Sequence, residues 1–222
     1  LKNKLEAFRI EGKDKIHVLA DFDRTLTKAF VDGEDTPSII SELRKGNYIS
    51  VEYAQKAQEL ADEYHPIEIN PLISVEEKKE AMHEWWSKHF DLLIESGLNK
   101  KHIKQIIDKG KIQFREGIDE FLNLLYRNEI PLIIISSSGL GGDSISMFFE
   151  KQDKFYPNIH IISNSYIWDK NGNAIGIKKP IIHVMNKDET ILSDYPFFGE
   201  IKDRKNVLLL GDSLGDIGMS EG

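Results

Sequence analysis

The sequence predicts an α/β fold: a doubly wound, Rossmann-like parallel sheet with a helical cap domain inserted after its first strand. Two observations carry this reading. Short apolar runs at Val18-Leu19-Ala20, 130–135, 159–163 and 207–210 each stop on small or acidic residues. Continuously apolar strands are buried on both faces, as in parallel sheets covered by helices. Residues 36–111 show helical periodicity and no strand alternation, far more than the roughly dozen residues a simple crossover needs.

Taken in order, residues 1–15 predict a polar amphipathic helix with Leu5, Phe8 and Ile10 on its apolar side. The first strand then delivers Asp21 and Asp23 to its carboxyl end, where α/β sheets keep their ligands. Residues 31–35 read as a loop around Gly33, and Thr36 opens the helical region. Ile39, Ile40 and Leu43, then 51–60, 75–90 and 98–107, repeat at helical spacing. Gly46-Asn47, the segment from Pro66 to Pro71, Ser96-Gly97 and Lys109-Gly110 supply the breaks.

The alternation then resumes. Residues 117–127 predict a helix with Phe121, Leu124 and Leu125 at core spacing, 130–135 a buried strand, and 144–151 a helix. Residues 159–163 predict a third strand, 166–177 a hairpin turning at Asn171-Gly172, and 207–210 a fourth strand. The expected units are therefore a core of residues 1–32 and 112–222 and a cap of 33–111. The chain ends at Gly222, where the helix after the fourth strand is expected, and is read as a partial chain.

The 222 residues carry a formal net charge of -8, which argues against nucleic acid or an anionic membrane as the partner. The absence of cysteine removes disulfides and thiolate metal sites and is compatible with a reducing cytoplasm. No apolar run approaches the roughly 20 residues of a membrane span, and no signal-peptide core opens the chain. The expectation is a cytoplasmic, monomeric protein with a small-molecule substrate.

An Asp-x-Asp at a strand end is by itself most often a cap or a turn. An EF-hand loop is excluded, because Thr25 and Leu26 stand where that loop needs an acid or amide and a glycine. Three partners downstream change the reading. Ser137 lies in the Ser-Ser-Ser-Gly turn after the second strand, where its hydroxyl and nearby backbone N–H groups could hold phosphoryl oxygens. Lys187 could neutralise phosphoryl charge. Asp212 and Asp216 follow the fourth strand and could hold a hard cation with Asp21; oxygen ligands and retained waters suit Mg²⁺. In this set Asp21 is the nucleophile and Asp23 the general acid and base of a phosphoryl transfer.

Asp21-Phe22-Asp23-Arg24-Thr25, Ser137-Ser138-Gly139, Lys187 and Gly211-Asp212-Ser213-Leu214-Gly215-Asp216 resemble the four motifs of the haloacid dehalogenase superfamily. Ile67-Glu68-Ile69-Asn70-Pro71, Glu84-Trp85-Trp86, Tyr156-Pro157-Asn158 and Ile182-His183-Val184-Met185-Asn186-Lys187 further resemble the pyrimidine 5'-nucleotidase family, cytosolic 5'-nucleotidase III. The resemblance implies Asp21, Asp23 and Lys187 as catalytic residues, Ser137, Ser138 and Lys187 as phosphate contacts, and Mg²⁺ on Asp21, Asp212 and the backbone carbonyl of Asp23. It also implies that Glu68 and His89 contact the nucleobase from the cap. Ser138, where the family usually has Ala, Arg24 and His89 depart from its pattern. The function so implied is dephosphorylation of UMP and CMP through an aspartyl-phosphate. The alternatives are the same chemistry on another phosphomonoester, such as 7-methyl-GMP, phosphoserine or a sugar phosphate, and a non-catalytic nucleotide-binding protein.

Overall fold

A computed structural model describes residues 2–187, 192, 193 and 195–220. Helix α1 (Lys2–Glu11) is followed by a short 3₁₀ turn and by strand β1 (Ile16–Ala20). Leu5 and Ile10 of α1 are 59% and 70% exposed. The apolar side predicted for α1 therefore leaves these two residues outside the core.

Beyond β1 the chain folds into a tight turn in which the backbone N–H groups of Thr25, Leu26 and Thr27 all point at the Phe22 carbonyl. It then forms a two-residue hairpin, β2 (Phe30–Val31) against β3 (Glu34–Asp35), where a loop was expected. Asp32 and Gly33 at its tip both take positive φ, 52° and 84°, as a type I′ turn requires.

Four helices follow: α2 (Ile39–Lys45), α3 (Val51–Ile69), α4 (Val75–Glu95) and α5 (Lys100–Asp108). Ser38, Ser50, Ser74 and Asn99 cap them, Ser74 in a reciprocal box with Glu77. The break expected from Pro66 to Pro71 is corrected: α3 runs through Pro66 and ends only at Asn70. Tyr53, Ala57, Ala61 and Tyr64 are buried along one face of α3, and that packing outweighs the hydrogen bond Pro66 forgoes.

The remaining elements are α6 (Ile118–Arg127), β4 (Leu132–Ser136), α7 (Gly141–Lys151), β5 (Ile159–Ser163), the hairpin β6 (Tyr166–Trp168) and β7 (Ala174–Ile177), α8 (Phe198–Ile201) and β8 (Asn206–Leu210). A 3₁₀ helix, Leu214–Ser220, occupies the predicted helical position after the fourth strand. Helix α7 begins three residues earlier than its periodicity indicates. Its first residue, Gly141, has φ 70°, and a Cβ there would meet the Asn164 carbonyl oxygen at 2.5 Å, so only glycine fits.

The main sheet is parallel, in the order β5-β4-β1-β8. Side chains alternate across it. Val18, Ala20, Leu132 and Ile134 join one apolar cluster, and Leu19, Ile133, Ile135 and Ile162 join the other. Covered on both faces, β1 sits between β4 and β8 and carries Asp21 to the middle of the sheet's carboxyl edge. Among the described residues no helix is long and apolar enough to cross a membrane.

Candidate active site

Asp21 is the first residue beyond β1, and its backbone N–H still bonds to the Leu210 carbonyl of β8 at 3.0 Å. Its carboxylate is buried and lies 2.5 Å from the Lys187 ammonium. The same ammonium reaches Asp216 Oδ1 at 3.3 Å. Asp216 is also buried, and it accepts hydrogen bonds from the backbone N–H and hydroxyl of Ser213 at 3.0 and 2.9 Å. Burial opposes charge on Lys187, yet the two facing carboxylates hold its pKa above the ordinary lysine range. Burial likewise pushes the Asp21 carboxyl up, and the Lys187 charge pulls it back.

Asp23, two residues on, does not share that cation directly. Burial, and then the charge of Asp21, push its carboxyl up to about 7. A carboxyl that keeps its proton near neutrality can donate it to a leaving oxygen. The turn that aims Asp23 is held from outside: Arg24 stands at φ 61°, its N–H bonds to Thr27 Oγ1 at 2.8 Å, and the Arg115 guanidinium donates to the carbonyls of Arg24 and Thr25. No local pattern around Arg115 announces this role.

Ligand oxygens of Asp21, Asp212 and Asp216 lie within 4.8 Å of one another. This all-oxygen set fits a hard divalent cation such as Mg²⁺. Asp212 is exposed and open to an ion, whereas Asp216 is already engaged by Lys187 and Ser213.

The turn after β4 leads into the N-terminus of α7, a disposition suited to anions. Ser137 is partly exposed, and its hydroxyl takes no hydrogen bond from the described residues. Ser138 is buried; its hydroxyl lies 3.3 Å from Ser144 Oγ and accepts the Leu140 N–H, so it serves the turn itself. The Tyr166 hydroxyl donates to the Gly139 carbonyl at 2.7 Å. A Cβ on Gly139 would come within 2.7 Å of the Trp86 ring and 2.8 Å of Ile40, so α4 rests directly on this turn. A further contact joins α4 to the segment that carries Lys187, with the rings of His83 and His183 6.1 Å apart.

The two base-side candidates sit differently. Glu68, near the end of α3, pairs with His65 Nδ1 at 3.1 Å and makes no hydrogen bond to the catalytic end among the described residues. His89 is 2% exposed, with Nε2 3.4 Å from the Tyr53 hydroxyl and its ring against Trp86. Tyr64, Trp85, Trp86 and Phe90 stack in sequence at 5.9, 5.9 and 5.5 Å.

Burial pushes His89 down to about 3 and His183 to about 4. Unfolding exposes both rings to ordinary titration near 6.5, so the unfolded chain binds more protons than the folded one between that pH and 4. The contribution of these two rings to stability is therefore full above pH 6.5 and falls on acidification, by about 1.4 kcal/mol per unit for each ring. Melting at pH 5 is expected to fall by roughly 5 °C more in the wild type than in His89→Gln, each referred to its own value at pH 7.

A family model described as Pyrimidine 5'-nucleotidase (UMPH-1) matches residues 24–222. The 7-methylguanosine phosphate-specific 5'-nucleotidase A of Xenopus laevis is 39% identical over 222 residues, all of this chain and 76% of that protein. The putative cytosolic 5'-nucleotidase 3 of Caenorhabditis elegans is 33% identical over 99% of this chain and 59% of its own length. Among solved structures, cytosolic 5'-nucleotidase IIIB bound to cytidine superposes with a TM-score of 0.88 at 28% identity, covering 99% of this chain and 74% of that one. A substrate-bound phosphoserine phosphatase, at 17% identity and a TM-score of 0.56 over 94% of this chain and 82% of its own, shares the fold alone. With the fold of the haloacid dehalogenase hydrolases, the chain is a 5'-nucleotidase and belongs to the pyrimidine 5'-nucleotidase (UMPH-1) family.

Proposed function

We propose that the protein is a Mg²⁺-dependent nucleoside 5'-monophosphate phosphohydrolase, with residues 33–111 acting as a cap that contacts the base. The observation that carries this reading is the buried Lys187 ammonium set between Asp21 and Asp216, with Asp212 beside them. A desolvated cation next to a carboxylate at a strand end is an arrangement that stabilises charge developing on a transferring phosphoryl group.

The Asp21 carboxylate attacks phosphorus, and the bond to the nucleoside 5' oxygen breaks as Asp23 delivers its proton to that oxygen. The Asp23 carboxylate then takes a proton from water, which attacks the aspartyl-phosphate and frees Asp21 and inorganic phosphate. Lys187 and Ser137 hold the phosphoryl oxygens through both steps. Mg²⁺, held by Asp21, Asp212 and the Asp23 carbonyl, supplies further charge neutralisation when bound.

For the base, the family's description supports pyrimidine nucleotides such as UMP and CMP, and relatives named for 7-methylguanosine phosphate support 7-methyl-GMP. Phosphate release from UMP, CMP, AMP, GMP, 7-methyl-GMP, phosphoserine and p-nitrophenyl phosphate, with and without Mg²⁺, tests the proposal. Glu68→Ala is expected to lower kcat/KM for the preferred nucleotide by about 10- to 100-fold and to leave p-nitrophenyl phosphate within about threefold. Release from no nucleotide would refute the reading.

A further inference from the structure

Strands β4 and β5 end in register, with Ser136 beside Ser163. The next residue of β5's chain, Asn164, therefore stands alongside the turn that carries Ser137 and Ser138. It is 1% exposed, and its amide is fully used. Oδ1 accepts the Ile182 N–H at 2.9 Å, while Nδ2 donates to the Ile182 carbonyl at 2.9 Å and to the Ser138 carbonyl at 3.3 Å. Its backbone carbonyl accepts the Gly142 N–H at 2.9 Å.

Ile182 opens the segment that ends on Lys187. That segment is locked internally around Asn186, which donates from Nδ2 to the Ile181 carbonyl at 2.9 Å and accepts the His183 N–H at 2.7 Å. A compact turn of this kind moves as a unit. Among the described residues, Asn164 is the side chain that hydrogen-bonds to both this unit and the serine turn.

From this geometry we infer that Asn164 is a positioning residue for phosphoryl transfer. It sets the distance between the Lys187 ammonium and the phosphoryl-binding turn on which Ser137 presents its hydroxyl. The inference rests on the proposed phosphatase reading. Chain topology gives the physical reason for such a residue: the cation and the turn come from segments about fifty residues apart, and neither segment belongs to the sheet ladder. A bidentate amide to one backbone unit and a third bond to another fixes orientation as well as separation. Loss of that tie displaces Lys187 relative to phosphate without touching any group that reacts, and a misplacement near 1 Å costs about 100-fold in rate.

The test compares Asn164→Ala with Asn158→Ala. Asn158 also spends its amide on a buried backbone carbonyl, that of Ile130 at 2.7 Å, and lies just before β5, at the opposite end of that strand. Melting temperature, kcat and KM for nucleotides and for p-nitrophenyl phosphate, and calorimetric affinity for inorganic phosphate are measured on all three proteins. Both variants are expected to melt lower than wild type. Asn164→Ala is expected to lose about 100-fold in kcat/KM and about tenfold in phosphate affinity. Asn158→Ala should keep both within about twofold. If Asn164→Ala does not fold, Asn164→Ser, whose short hydroxyl cannot span to both segments, is read in the same way. Folded Asn164 variants with the kcat and phosphate affinity of Asn158→Ala would overturn the inference. A wild type that cleaves p-nitrophenyl phosphate but no nucleotide removes the nucleotidase reading and leaves the Asn164 comparison decisive. A wild type that neither holds nor releases phosphate removes both.

Discussion

Asp21→Asn is expected to abolish phosphate release from every substrate in the panel, by at least about 10⁴-fold, while the protein stays folded. An amide of the same shape still fills the space beyond β1, but its nitrogen and carbonyl cannot form an acyl phosphate. The structural cost is small for two opposing reasons. The variant loses the 2.5 Å ion pair with Lys187. It also loses a buried charge that burial itself disfavours, and Lys187 keeps its second carboxylate, Asp216. Melting is expected to stay within about 5 °C of wild type, and inorganic phosphate should still bind. Turnover above about one per cent of wild type in this variant would mean that the nucleophile lies elsewhere.

Much of this site was legible because strand ends in a parallel sheet are chemically exposed positions in an otherwise apolar pattern. Val18-Leu19-Ala20 followed by two acids, and 207–210 followed by Gly-Asp, stand out in the sequence, and the structure brings Asp21, Asp212 and Asp216 within 4.8 Å. The four core strands and the helical insertion follow from the same contrast between continuous apolar runs and 3.6-residue spacing. What sequence periodicity missed is what tertiary packing decides. Pro66 reads as a break, but a buried face of two tyrosines and two alanines carries α3 past it. Leu5 and Ile10 read as a core face, yet they stay exposed on α1. Asp32-Gly33 lies in a predicted loop, and only the paired positive φ angles turn it into a hairpin.

Within the site, the reacting groups were easier to find than the groups that hold them. Carboxylates at strand ends have a chemistry that names their task, and Lys187 is found through the set of motifs that it completes. Arg115, Tyr166 and Asn164 act through hydrogen bonds to backbone groups, and their identity carries no trace of the groups they reach. The position of Asn164, one residue past a buried strand, was the available signal. His89 shows the converse: its residue type suggests a ligand contact, while its burial beside Tyr53 gives it a packing role in the cap that a base contact would have to share.

Lys187→Met is expected to be the most destabilising change at the site as well as a severe catalytic lesion. Methionine fills the lysine stem's volume but leaves Asp21 and Asp216 facing each other, both buried and with no cation between them. Removing one partner of a buried ion pair costs about 3–5 kcal/mol, or roughly 10 °C in melting for a chain of this size. Melts run in a chelator keep a bound cation from masking the effect. Loss of the ammonium should also lower kcat by about 10²–10³-fold, the usual cost of one preorganised charge on the transferring group. The two losses separate in the double variant with Asp216→Asn. That change removes one of the two uncompensated charges and supplies an amide for Ser213, so most of the melting temperature should return. The phosphoryl group still lacks its cation, so kcat should not. Recovery of both would mean that Lys187 acts on the fold alone, and recovery of neither would mean that the unpaired Asp216 charge is not what lowers the melting temperature.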